Sequence, residues 1–301
     1  MVILGFLYYS QKNDYILYNW IDLIYSILNF KNRIGDNMFH DAFEFKDKSI
    51  PKTILGNAPF LAEGYFGHRS RLYQLDFDKN PQYIADIIIE SYNQGVRAIN
   101  LVNDANLLEA YDIACENDCK MDVVATIGKS DIDYLNPNYE IAKEVDWQDD
   151  IELFDKYDCP LMLVDEFIVD GYDWRLISKI LNAINGTGAL SGLITAFPCR
   201  TSDMILENMD LDLFDFYMIP LNQLSYMMDM NSFSPDVREV FRQKMLSLNK
   251  KIIASKVLAA GIQMPQDAFH FFKKLDYVDL ISIGVANKKE AVDDFGLLRS
   301  L

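Results

Sequence analysis

Histidine is scarce in this chain of 301 residues, with three copies, and cysteine is nearly as rare, with four. Positive charge is also short, 28 Lys plus Arg standing against 45 Asp plus Glu. Each shortage excludes something. A net charge of -17 repels phosphate backbones and anionic membrane surfaces over long range, so nucleic acid is not an expected partner. The cysteines (Cys115, Cys119, Cys159 and Cys199) have no disulfide-dense spacing and suit a reducing cytoplasm, which is the expected location. Cys115 and Cys119 stand one helical turn apart. With so few histidines to join them, two thiols read as packing or surface residues, and no metal is expected. Long apolar runs are missing too. A membrane-spanning helix needs about 20 nearly uninterrupted apolar residues, and a secretory signal needs a basic region before its apolar run. Neither is present, so no membrane span is expected.

What remains is half hydrophobic and about a quarter charged, at 50% and 24%, with ample chain for a large core. Residues 1–37 read differently from the rest. Leu17, Trp20, Ile21, Ile24, Ile27 and Leu28 share one stripe at helical spacing, interrupted by Asn19, Asp22 and Ser26. The segment is an amphipathic extension. It is either a helix packed on the rest of the chain, on a second copy or on a partner, or a stretch upstream of a start at Met38. Its Lys12, Lys31 and Arg33 balance Asp14, Asp22 and Asp36, so the negative charge belongs to the remainder. Its removal is expected to leave a cooperatively unfolding domain over residues 38–301.

From Thr53 onward, short apolar runs rich in β-branched residues alternate with longer amphipathic segments, the pattern of βαβ units and a parallel sheet. Eight strands are predicted, at 54–60, 98–103, 121–128, 161–166, 190–197, 214–221, 251–258 and 278–285. A helix is expected over 81–93, with Asn80 as its cap and Gly95 turning the chain into the second strand. Others should begin near Asn103 or Asp104, Trp147, Asp173, Thr201, Pro235, Pro265 and Asn287. Counting alone also allows a two-domain doubly wound arrangement, but no linker or composition break follows Thr53. The expected fold is therefore α/β, a single (β/α)₈ TIM barrel, which needs roughly 250 residues.

Barrel enzymes place their chemistry in the loops after the strands. Two of these loops are long, 61–80 and 129–146, and the second carries Asp131, Asp133, Tyr134 and Tyr139. In the first, Gly64-Tyr65-Phe66-Gly67-His68-Arg69-Ser70-Arg71 gathers positive charge between two glycines, suited to a phosphate or carboxylate. The same run also reads as a solvated loop, since it matches no P-loop or dinucleotide fingerprint. Asp165 and Glu166 end the fourth strand, where one of them can face the barrel mouth as an acid, a base, a metal ligand or half of an ion pair with Lys129, Lys256 or Arg200. Lys256 lies in the apolar run of the seventh strand. Burial there would lower its pKa toward Schiff-base chemistry unless Asp165 or Glu166 pairs with it. Asn57, Asn100, Asn222 and Thr126 fall at strand ends, where they could orient a substrate.

Four segments carry a family resemblance. They are residues 193–197; 215–222; Lys256-Val257-Leu258-Ala259-Ala260-Gly261; and Val278-Asp279-Leu280-Ile281-Ser282-Ile283-Gly284-Val285-Ala286-Asn287. Together with Gly95-Val96-Arg97-Ala98-Ile99-Asn100, they resemble the aldo-keto reductase superfamily over about residues 53–295. The resemblance implies a barrel that binds NADPH and an Asp, Tyr, Lys and His tetrad. The tetrad is not retained. Its Asp falls at Asn100 with no Tyr a few residues beyond, its Lys near Thr126 or Ile127 with Lys129 displaced, and its His at Asp165 or Glu166. Gly261, Asn287 and Lys288 match the family's cofactor region, where a helix start and cations favour an anion. Three readings follow. The first is an enzyme with altered chemistry at Asp165, Glu166, Lys256 and Asn100. It would bind a small anionic metabolite through residues such as His68, Arg69 and Arg71. The second is an NADP-dependent reductase, and the third a non-catalytic barrel that binds a ligand or a protein.

Overall fold

The computed structural model describes residues 39, 41–130, 132, 134, 136–157 and 159–301. The stripe expected over 16–28 and the loop residues Asp131 and Asp133 lie outside these. The described chain opens on an antiparallel hairpin that the sequence did not announce, β1 (Ala42–Phe45) and β2 (Lys48–Pro51). Eight strands follow: β3 (Thr53–Leu55), β4 (Ala98–Leu101), β5 (Asp122–Ile127), β6 (Leu161–Val164), β7 (Leu190–Ile194), β8 (Phe216–Pro220), β9 (Lys251–Ser255) and β10 (Leu280–Ile283). They pair in sequence order, all parallel, and β10 closes on β3 to complete a (β/α)₈ barrel. Every expected strand is found. Each ends earlier than its apolar run, because the residues after the ladder stay buried as the chain turns toward its helix.

The barrel interior is filled, not hollow. Ile54, Val124, Leu161, Leu163, Phe216, Met218, Ile253 and Leu280 form one buried cluster, which Ile50 of β2 joins. The rings of Phe43 and Phe45 stand edge-on to Phe216 at the first residue of β8, with centroids 6.4 and 5.6 Å away. The hairpin thus plugs the N-terminal end of the barrel, and the open end is the C-terminal one. Gly192 in β7 is where two strands and a side chain press closest. A Cβ there would lie 2.5 Å from both the Phe216 carbonyl oxygen and Leu163 Cδ2. Gly192→Ala should therefore cost about 2–3 kcal/mol through overpacking, read as a lower midpoint in chemical denaturation; an unchanged midpoint would show that the strands can spread.

The helices keep their expected order, with instructive differences. The helix Pro81–Asn93 occupies the expected residues, but Asn80 makes no side-chain cap and donates instead to the Asp76 carbonyl at 3.0 Å. The fifth barrel helix begins at Pro198, three residues before Thr201, with the proline in its first turn. The loop over 61–80 is largely a helix, His68–Phe77, so His68, Arg69 and Arg71 are helical residues. Among the described residues no helix is long and apolar enough to cross a membrane.

Candidate active site at the C-terminal end of the barrel

The C-terminal ends of the strands surround a cavity of about 360 Å³. Its central wall is made of charges in alternation. β9 ends at Ser255, and Lys256 is the next residue, not a strand residue as expected; it takes a left-handed conformation with φ of 53°. For a side chain with a Cβ this is a sparsely populated region, the kind of strain that collects at functional positions. The turn directs the Lys256 ammonium to Glu166 Oε2 at 3.2 Å and to the Tyr134 hydroxyl at 2.9 Å, with both side chains of the ion pair nearly buried (7% and 11% exposed). The Tyr65 ring lies 4.9 Å from the same ammonium.

Glu166 begins a single helical turn, Glu166–Val169, directly after β6, and Asp165 is the residue before it. Asp165 Oδ1 accepts from the Phe167 amide at 3.0 Å, which fixes its carboxyl at the mouth of the barrel. Beyond it lies a second pair, Lys129 Nζ to Glu63 Oε1 at 2.7 Å, reaching across from the loop after β3. Asp165, Glu166, Lys256, Lys129 and Glu63 line one cavity. On the strands between Glu63 and Asp165, Asn100 of β4 donates to Thr126 Oγ1 of β5 at 3.0 Å and to the Val124 carbonyl at 2.8 Å.

These contacts set the protonation states. Burial alone would lower the pKa of Lys256, but the Glu166 carboxylate beside it outweighs this and the value lies above that of a free lysine. The amine is a cation at neutral pH. The free base that Schiff-base chemistry needs is therefore disfavoured, against the expectation from an unpaired buried lysine. Lys129 is likewise raised, burial being overcome by Asp165 and Glu63. Burial also raises the phenols of Tyr65 and Tyr134, which stay protonated. Asp165 is pushed up to about 7 by burial and by Glu166, with Lys129 and the Phe167 amide holding it back.

Burial pushes Asp170 and Asp294 up to about 7 as well. A carboxyl with a higher pKa folded than unfolded, where it is about 3.9, holds its proton more tightly in the native state. Its contribution to stability is then largest at low pH and declines as pH rises from about 4 to about 7. The thermal midpoint at pH 6 should exceed that at pH 8, and an equal or lower midpoint at pH 6 would contradict these assignments.

The remaining candidates are distributed unevenly. Asn57 lines the cavity beside β3. Arg69 also reaches it, donating to the Ala260 carbonyl at 3.2 Å. Gly261, at φ of 76°, permits this approach, since a Cβ there would collide with the Arg69 guanidinium. His68 is exposed, and Arg71 donates to Gln74 within its own helix. Asn222 is spent on its own loop, accepting from the Leu224 and Tyr226 amides and donating to the Lys256 carbonyl. At the helix start after β10, Asn287 accepts from the Glu290 amide, and the Glu290 carboxylate accepts from the Ala286 amide at 2.7 Å. An internal carboxylate thus fills the position an external anion would take. Lys288 pairs with Asp86 at 2.8 Å. Sequence reasoning did not place Glu63, Tyr65 and Tyr134 in the site. They are 32 or more residues from Glu166 and Lys256, and only closure of the barrel brings them there.

No family model and no curated protein sequence matches the chain. Solved structures do. An aldo-keto reductase from Pseudomonas aeruginosa matches with a TM-score of 0.59 at 14% identity, over 87% of this chain and 97% of that one. An aldo-keto reductase from Klebsiella pneumoniae in complex with NADPH matches at 0.51 and 11% identity, over 87% and 90%. At such identities the likeness is one of architecture: this chain shares the (β/α)₈ barrel of those structures.

Proposed function

We propose that this chain is an enzyme that moves a proton on a small anionic carbonyl compound held at the C-terminal face of its barrel. The observation that carries the reading is the convergence on one cavity of Asp165 and two lysine–carboxylate pairs, Lys256–Glu166 and Lys129–Glu63. A carboxyl with a pKa near the working pH is suited to general acid–base catalysis. Two fixed ammonium groups in a partly dry site stabilise negative charge on oxygen more strongly than water does. In the step, the Asp165 carboxylate takes a proton from the carbon beside the carbonyl, and the electron pair moves onto the carbonyl oxygen. Lys256 holds that oxyanion by hydrogen bond and charge. Asp165 then returns the proton to the enolate, on oxygen to give the enol or on the same carbon to regenerate the ketone, so the reaction is redox-neutral and needs no co-reactant. Tyr134 acts as a positioning residue that holds the Lys256 ammonium. Arg69 and Lys129 receive the anionic group of the substrate.

A nicotinamide-dependent reduction is the second reading, favoured by the fold and by the NADPH complex of the Klebsiella protein. The residues here do not fit the phosphate end of that cofactor. Glu290 occupies the amide that would bind a phosphate, and Glu290 and Asp294 make that arm of the cavity negative. The two readings separate by binding. Small oxo acids should raise the thermal midpoint, while NADPH should give no saturable fluorescence change at millimolar concentration. Saturable NADPH binding with no effect of any oxo acid would overturn the proposal.

A further inference from the structure

The cavity that contains Asp165 and Lys256 continues toward the ends of β3 and β10, where Glu290 and Asp294 line it. Asp294 is 7% exposed, yet among the described residues no hydrogen bond or ion pair reaches its carboxylate. Burial, Glu290 and Asp293 all raise its pKa, and Lys289 opposes them. That lysine is 84% exposed and pairs with Asp293 on the outside of the helix. A mostly buried carboxylate that opens on a cavity without a protein partner is costly and calls for an explanation. The backbone beneath it is also unusual, because residues Ala291–Phe295 wind as a π-helix between two short α-helical segments. Such wide turns are rare and collect at functional sites. Glu290 lends a second negative charge while remaining tied to Ala286 and Asn287. Among the described residues no three metal-ligating side chains converge, so an organic cation fits better than a metal ion.

We propose that this arm receives a primary ammonium group, which makes the substrate an amino-substituted carbonyl compound with Asp294 as its ammonium-binding residue. The inference rests on the proton-transfer reading of the same cavity for the carbonyl end alone. The geometry assigns the two ends to two arms: carbonyl and carboxylate toward Lys256, Lys129 and Arg69, ammonium toward Asp294 and Glu290.

The test compares 5-aminolevulinate with levulinate, which lacks only the amine, and propylammonium with 1-propanol, by saturation-transfer NMR titration on the full chain. Wild type should bind 5-aminolevulinate about tenfold more tightly than levulinate, as one charge-assisted contact implies. The near-isosteric Asp294→Asn should erase that advantage, so that 5-aminolevulinate and levulinate bind alike. An advantage that persists in Asp294→Asn, or none in wild type, overturns the ammonium site even if levulinate binds through Lys256. Propylammonium binding that depends on Asp294, with neither oxo acid bound, keeps the ammonium site and removes the carbonyl reading. Binding of none of the four overturns both.

Discussion

Lys256→Met is expected to destabilise the barrel by about 3–5 kcal/mol, because it leaves the Glu166 carboxylate buried with no cation beside it. Turnover should fall by about 10²–10³-fold as the charge facing the substrate oxygen is lost. Lys256 is held by Glu166 at 3.2 Å and Tyr134 at 2.9 Å and has little contact with solvent. The double variant Lys256→Met with Glu166→Gln separates the two effects. It removes both charges, so stability should return to within about 1–2 kcal/mol of wild type, while activity stays lost. Chemical denaturation of the three proteins checks the first half, and turnover the second. Full stability in the single variant would show that the pair is solvated in solution.

Asp165→Asn should lower turnover by about 10²–10⁴-fold, the usual contribution of a positioned acid–base group. It should do so without loss of stability at pH 8. At that pH the wild-type carboxyl, pushed up to about 7, is mostly ionised in a buried setting, and the amide replaces a charge that folding penalises. The Phe167 amide still finds an oxygen acceptor, so the turn after β6 is preserved. The variant should also flatten part of the decline in stability between pH 6 and pH 8. A variant that is fully active, or one that loses several kcal/mol at pH 8, would make Asp165 a structural cap and nothing more.

The fold was readable because parallel strands buried on both faces appear as continuous apolar runs, and eight such runs with intervening amphipathic segments permit few architectures. Their ends were not readable. Ala196 and Phe197 after β7, and Val257 and Leu258 after β9, continue the apolar run past the last ladder bond, which is why the helix at Pro198 begins three residues before the expected start. The hairpin was hidden for the opposite reason. Its strands are four residues each, and Glu44, Lys46 and Lys48 make the stretch look like surface. At the site, Asp165, Glu166, Lys256 and Asn100 were legible as polar residues at the ends of strands. Their partners were not, because Glu63, Tyr65 and Tyr134 come from two loops whose lengths say nothing of where they fold back. The same limit applies to the helix start after β10. Asn287 and Lys288 have the composition of an anion site, and only the geometry places Glu290 in it.

The account stands or falls on proton transfer at the cavity, and solvent deuterium reports it directly. Incubation of 5-aminolevulinate, levulinate and related oxo acids with the protein in deuterated buffer should replace hydrogen by deuterium at the carbon beside the carbonyl. Proton NMR would follow this as loss of one signal, at a rate that collapses in Asp165→Asn. Exchange no faster than in buffer for every carbonyl compound tried, or equally fast in Asp165→Asn, would contradict it.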